Sequence, residues 1–325
     1  MRTHPFLGHA HDHQNNCNDI AGGSSDGPFV VYDSPQETND IIITLGGSTT
    51  DGFDTYHSQG ITWSSSLNEI LIDKGIQLKV YNGGVGAYGS SNELLKLLTI
   101  APILDKNPKY IISLNGINDL HAYRFGALGG KGVPHTLAST FPFWTGVHFR
   151  STVLETYISQ HKSPFLLFPA TQRALNFLSN KNHLRRYSLE NDWANSLTVK
   201  DQKKFTAAAL WKYNIETMNA ISKVMGAKYY VFLQPTMGLE KIQIPTDKNS
   251  SDYSIYKTQI PKGYIEKINS HYEDLRQVCK IFDYCIDLSG TAPPVGDNYA
   301  DPRHHNAKGN KLIAKDIFDK IFQNQ

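Results

Sequence analysis

A serine, an aspartate and a histidine stand in settings suited to acyl transfer. Ser48 lies in Gly46-Gly47-Ser48-Thr49-Thr50-Asp51-Gly52, directly after a β-branched apolar run at residues 41–45. A strand ending in such a turn would expose the serine hydroxyl at its C-terminal edge, with main-chain N–H groups nearby to receive an oxyanion. The stretch does not match the Gly-x-Ser-x-Gly nucleophile elbow. Towards the other end, Asp301-Pro302-Arg303-His304-His305-Asn306-Ala307-Lys308-Gly309 precedes a helical pattern. A serine hydroxyl is a poor nucleophile until a base takes its proton, and an imidazole serves when a carboxylate fixes its tautomer. Asp301 and His304 are close enough in sequence for one loop to present both.

Two further segments supply donors. Asn82-Gly83-Gly84-Val85-Gly86-Ala87-Tyr88 follows the run at 78–81, and Gly116-Ile117-Asn118-Asp119 follows the run at 110–114. A main-chain amide from the first and the Asn118 side-chain amide from the second, with the Ser48 N–H, would form an oxyanion hole. One such donor is worth about 3 kcal/mol of transition-state stabilisation. Each piece alone also reads as an ordinary turn. Together, all four lie at the C-terminal ends of predicted parallel strands or after the last one, where open α/β sheets build their sites.

Those strands are the apolar runs at 41–45, 78–81, 110–114, 229–233 and 281–288, which alternate with helical patterns and predict a mostly parallel sheet. Ser90-Ser91-Asn92-Glu93 reads as a capping box opening a helix through Leu94, Leu95, Leu97 and Leu98 that stops before Pro102. Trp211, Ile215, Met218 and Met225 share one helical face that ends at Gly226. Ile265, Ile268, Tyr272, Leu275 and Cys279 do the same, and a last helix after Asn306 turns Ile313, Ile317 and Ile321 inward. The third and fourth strands are too far apart for a single crossover helix, so 120–205 is an insertion. It holds a glycine-rich loop and Phe141-Pro142-Phe143-Trp144, which would pack against the main domain or form a lid or wall over substrate. Residues 1–38 read as an irregular arm, and 39–325 as one domain including the insertion.

The four blocks, in this order, resemble the SGNH (GDSL-like) hydrolase superfamily over most of the chain apart from the arm and the insertion. Block I is similar to 46–52, with Gly47 where many members carry Asp; block II resembles 82–90, block III 116–119 and block V 301–309. The resemblance implies a three-layer α/β/α sandwich with a five-stranded parallel sheet in flavodoxin-like order. It also implies ester hydrolysis or acyl transfer without metal or organic cofactor, by a triad of Ser48, Asp301 and His304. The implied oxyanion hole comprises Ser48, Gly86 or Ala87, and Asn118. The block II donor is usually a glycine, and counting from Asn82 places it at Ala87, one residue after Gly86. Block V usually has proline after the histidine, where this chain has His305. Spacing from Asp301 favours His304 as the base, with His305 as the fallback.

Of the 325 residues, 40% are hydrophobic and 19% charged, a globular composition. Lys plus Arg (32) nearly balance Asp plus Glu (30), leaving +2 and no electrostatic reason to bind nucleic acid or an anionic membrane. The expected partner is a small-molecule or glycan ester. No apolar stretch approaches the roughly 20 residues of a transmembrane helix. Met1-Arg2-Thr3-His4-Pro5 lacks the apolar core of a signal peptide, so the chain as it stands reads as cytoplasmic, or extracytoplasmic if a signal or anchor was removed. Cys17, Cys279 and Cys285 are too few for a disulfide framework and leave at least one free thiol; Cys279 reads as a buried helix residue. His9, His11 and His13 alternate near Asp12 and Cys17, but match no zinc motif, and no metal is expected. Tyr88 and Trp144 could stack on a sugar, and Arg303 and His305 could touch substrate, as could Arg150, Arg185 and Arg186 for an anionic one. The leading expectation is an esterase acting on O-acyl, above all O-acetyl, groups of a carbohydrate. The alternatives are an O-acyltransferase for a bacterial surface glycan, and an inactive hydrolase scaffold used for binding, against which Ser48, Asp301 and His304 argue.

Overall fold

The run Ile41-Ile42-Ile43-Thr44-Leu45 is apolar on both sides of the chain, as a strand covered on both faces must be. In the computed structural model it lies at the centre of the sheet. The structure describes residues 2–4, 8–10, 23–26, 29–32, 34–35, 37–52, 60–86, 88–120, 206–239, 244–260, 263–290 and 296–323. In chain order the described elements are β1 (Arg2–His4), β2 (Gly8–Ala10), β3 (Gly23–Asp26), β4 (Phe29–Tyr32), β5 (Asp40–Gly46), α1 (Ser48–Asp51), α2 (Trp63–Asp73), β6 (Lys79–Asn82), α3 (Ser90–Ile100) and β7 (Asn107–Asn115). They continue with α4 (Ala207–Val224), β8 (Lys228–Leu233), α5 (Ser251–Gln259), α6 (Tyr264–Cys279), β9 (Cys285–Asp287) and α7 (Ala307–Phe318).

Strands β1 and β2 pair by themselves, and the main sheet has the order β3-β4-β6-β5-β7-β8-β9. Its last five members are parallel to one another. Strand β4 runs antiparallel to β6, and β3 antiparallel to β4. The sheet is therefore mixed, with seven strands where five parallel ones were expected. The added strand β4 is part of the stretch read as an irregular arm. Its four residues are all buried, Phe29 and Val31 on one face and Val30 and Tyr32 on the other.

Alternate residues of the sheet feed two cores. Ile41, Ile43, Leu45 and Val231 pack with Leu97 of α3, Trp211 and Ile215 of α4, and Tyr272 and Leu275 of α6. Ile42, Val80, Ile112 and Phe232 pack with Trp63 and Leu67 of α2 and Ile313 and Ile317 of α7. The result is three layers, helix on sheet on helix. Apart from Leu120, the proposed insertion with its glycine loop and Phe141-Pro142-Phe143-Trp144 lies outside the described residues.

Three local expectations change. Helix α3 starts after Gly89 without a side-chain cap; Ser90 instead donates both its N–H (3.1 Å) and its hydroxyl (2.5 Å) to Asp119 Oδ1. The run at 281–288 yields only three strand residues, and Ile281 sits 63% exposed in the preceding turn. Cys279 is buried but is no thiol: it forms a disulfide with Cys285, joining the end of α6 to β9.

Candidate active site

The serine turn is shaped by packing. Among residues 41–52 every one but Ser48 is buried. Gly46 has φ +154°, and a β-carbon there would lie 2.1 Å from Thr50 Oγ1 and 2.7 Å from Leu114 O, so only glycine fits. The chain then closes one helical turn, with the N–H groups of Thr50 and Asp51 both donating to Gly47 C=O at 3.0 Å. Trp63 Nε1 donates to Thr50 Oγ1 (3.1 Å), and Asn82 Nδ2 donates to Thr50 O (2.7 Å) and Tyr32 Oη (2.8 Å). Strand β4, through Tyr32, thus supports the serine turn.

The structure brings Ser48, His304 and Asp301 together. Ser48 Oγ lies 2.6 Å from His304 Nε2, and His304 Nδ1 lies 2.6 Å from Asp301 Oδ2. An ionised carboxylate only accepts, so Nδ1 carries the proton and Nε2 is left to accept from the serine hydroxyl. Asp301 Oδ1 also accepts the N–H groups of Arg303 (2.8 Å) and His304 (2.9 Å). Burial alone would raise the Asp301 pKa, but its hydrogen bond and attraction to His304, with the two main-chain donors, outweigh this and hold it at about 2. The side chains of His304 and Asp301 are 31% and 36% exposed, so the base is open to solvent.

The loop carrying this pair is anchored by residues that sequence reading missed. Asp252, at the start of α5 and fully buried, accepts the N–H groups of Gly296 (2.7 Å), Asn298 (3.2 Å) and Tyr299 (3.1 Å). Gln234, just after β8, donates to Arg303 O at 2.9 Å, and Met237 N–H to Pro302 O at 3.0 Å. Gln234 follows a predicted strand, as Ser48 and Asn118 do, and that rule would have found it. Asp252 carried no such signal. After the loop, Asn306 Oδ1 caps α7 by accepting from Gly309 N–H (3.1 Å).

Among the oxyanion candidates, Asn118 is partly exposed and spends one Nδ2 hydrogen on Tyr88 O (2.9 Å), leaving the other for a ligand. Ser48 N–H begins α1, where a helix offers it no internal acceptor. Gly86 is a correction: its N–H donates to Asp51 Oδ2 at 2.7 Å rather than facing the site. Ala87 lies outside the described residues.

Two substrate candidates are corrected as well. Tyr88 is 1% exposed and packs with Val85 and Leu95, so it offers no stacking surface. His305 is 1% exposed, lies 4.5 Å from the Tyr299 ring, and neither of its nitrogens has a hydrogen-bond partner. Burial first, and the neighbouring His304 second, lower its pKa to about 3. It is a core residue and no fallback base. Arg303 is partly exposed, with its guanidinium 5.7 Å above the Tyr264 ring. Trp144, Arg150, Arg185, Arg186, His11, His13 and Cys17 lie outside the described residues, as does the side chain of His9. Among the described residues no cluster of His, Cys, Asp and Glu could hold a metal ion.

Beneath Asn118 lie two buried acids. Glu93, with Oε2 accepting from Asn115 Nδ2 (3.0 Å), is pushed up to about 8 by burial and then by Asp119. Burial likewise raises Asp119 to about 6 against the hydrogen bonds from Ser90.

No family model matches the sequence, and no curated protein matches it. Solved structures do. An acetyl xylan esterase, AlAXEase, is 14% identical, with 87% of this chain and 100% of that one covered and a TM-score of 0.41. The acetylxylan esterase Axe2 of Geobacillus stearothermophilus is 11% identical, covering 89% and 97%, with a TM-score of 0.42. A GDSL-like lipase of Bacteroides thetaiotaomicron is 12% identical, covering 88% and 90%, with a TM-score of 0.43.

Proposed function

We propose that the chain is a serine ester hydrolase that cleaves O-acyl, above all O-acetyl, esters of a carbohydrate or small molecule through an acyl-enzyme on Ser48. The observation that carries this reading is the pair of 2.6 Å contacts running from Ser48 Oγ through His304 to Asp301. Ser48 Oγ attacks the acyl carbon as His304 Nε2 takes its proton, and Asp301 holds Nδ1 and stabilises the imidazolium. The developing oxyanion receives the Ser48 N–H and the second Asn118 N–H. His304 returns the proton to the departing alcohol, then draws one from water to release the acid. The near-neutral charge of +2 fits an uncharged ester better than a polyanion.

Intact mass after treatment with a fluorophosphonate, on wild type, Ser48→Ala and His304→Ala, tests the activated serine without the true substrate. One adduct on wild type and none on either variant is expected; a folded wild type that takes no adduct would sink the reading. Acetate release from acetylated xylo-oligosaccharides and 4-nitrophenyl esters of rising chain length then tests the acyl and alcohol assignments. Turnover that requires an acceptor sugar would replace hydrolysis with transfer.

A further inference from the structure

We infer that Gln234 is the positioning residue that holds the nucleophile turn and the base loop in register, an assignment that rests on the serine-hydrolase reading above. Ser48 and His304 lie 256 positions apart in sequence. Their contact joins two side chains with freely rotating bonds, so something stiffer must set the distance between the segments that bear them. Gln234 Nε2 donates one hydrogen to Thr49 Oγ1 and the other to Arg303 O, both at 2.9 Å. Thr49 follows the nucleophile and Arg303 precedes the base. One planar amide therefore spans the two loops at positions adjacent to both reacting groups.

The orientation of that amide follows from its partners. A carbonyl can only accept, so the Gln234 nitrogen, not its oxygen, must face Arg303 O. The bridge is dry and its base is rigid. Gln234 is 3% exposed and Thr49 5%. The Gln234 N–H donates to Asn115 O and its C=O accepts from Tyr272 Oη, each at 2.8 Å, which ties the residue to the ends of β7 and α6. The Met237–Pro302 bond fixes the base loop to the same segment but does not reach the serine turn. Removing the Gln234 amide leaves two buried acceptors unpaired and the Ser48–His304 distance unset. A displacement of about 1 Å at such a pair can cost about 100-fold in rate.

The test compares wild type, Gln234→Met, Gln234→Glu, Thr49→Val and the Gln234→Met/Thr49→Val double variant. Three quantities are read: the second-order rate of Ser48 labelling by a fluorophosphonate, kcat and KM for 4-nitrophenyl acetate, and Tm. Gln234→Met keeps length and loses both donors. Its labelling rate and kcat should fall about 10- to 100-fold, with KM within about twofold of wild type. Thr49→Val should lose less, and the double variant no more than Gln234→Met, because the two residues act through one bond. In Gln234→Glu an ionised carboxylate faces the Arg303 carbonyl, whereas its protonated form regains one donor. Its deficit relative to wild type should therefore narrow as pH falls, a signature that simple loss of packing would not produce. A folded Gln234→Met labelled at the wild-type rate overturns the assignment and leaves the hydrolase reading intact. If Gln234→Met does not fold, a wild-type rate in Thr49→Val with a pH-independent Gln234→Glu deficit overturns it equally. Wild type that neither labels nor turns over overturns the hydrolase reading, and the role of Gln234 with it.

Discussion

The side-chain amide of Asn118 occupies the place a β-carbon on Gly47 would take: such a carbon would lie 2.2 Å from Asn118 Nδ2 and 2.9 Å from Tyr88 O, the acceptor that orients this amide. The glycine before the nucleophile is thus the room in which the oxyanion donor sits. Gly47→Ala should displace Asn118 and lower kcat about 100-fold, and Gly47→Asp should do at least as much. Asn118→Ala should lose about 100- to 1,000-fold, and adding Gly47→Ala to it should cost little more. Steady-state kinetics on 4-nitrophenyl acetate measure all four, and an unimpaired Gly47→Ala would mean that Asn118 leaves this place during turnover.

Asp301→Asn should keep the fold and lower kcat about 10,000-fold. An asparagine can present its N–H to Nδ1, which moves the imidazole proton to Nε2, where it can no longer accept from Ser48. The same contacts give a pH signature in wild type. With the Asp301 pKa held at about 2, below its ordinary 3.8, their contribution to stability is complete above 3.8 and is lost as pH falls towards 2. A loss of kcat under about tenfold in Asp301→Asn would remove the carboxylate from the mechanism.

What could be read from sequence was whatever chain order and residue type decide locally. Ser48, Asn118 and the Asp301–His304 pair each follow a strand, and a parallel sheet puts the ends of its strands on one edge. Long-range pairing was not legible. Tyr32 is part of a four-residue strand whose partner, Asn82, lies 50 positions away, and the short run carried no βα alternation to announce it. Ser90 looked like a cap because a serine opens a helix there, yet its hydrogen bonds go to Asp119, 29 positions on. His304 and His305 are adjacent and chemically identical. Asp301 claims one and the Tyr299 ring covers the other, and only the folded loop distinguishes them.

His305 makes the fold sensitive to mild acid. Its pKa falls from 6.5 to about 3 on folding, so below 6.5 the unfolded chain takes up a proton that the folded chain refuses. Stability is complete above 6.5 and falls with pH by up to about 1.4 kcal/mol per unit until about 3. His305→Phe removes this proton. Urea unfolding from about pH 7 down to about pH 5 should show the variant gaining on wild type by about 1 kcal/mol or more. A gap that stays constant with pH would mean that His305 is charged in the fold.

Glu93 should act in the opposite direction at higher pH. Its pKa rises from 4.5 to about 8 on folding, so near neutrality the folded chain holds a proton that the unfolded chain has lost. This contribution to stability is complete below 4.5 and disappears as pH rises through about 8. Glu93→Gln is neutral at every pH and keeps an oxygen to accept from Asn115 Nδ2. The variant should therefore match wild type near pH 5 and exceed it by about 1 kcal/mol or more near pH 8 in urea unfolding. Because Glu93 lies in the polar layer under Asn118, the alkaline loss in wild type should also appear as a falling kcat that Glu93→Gln spares. A wild-type-to-variant difference that does not change with pH would put a charge on Glu93 in the fold, and the buried acids could not then account for any alkaline loss of activity.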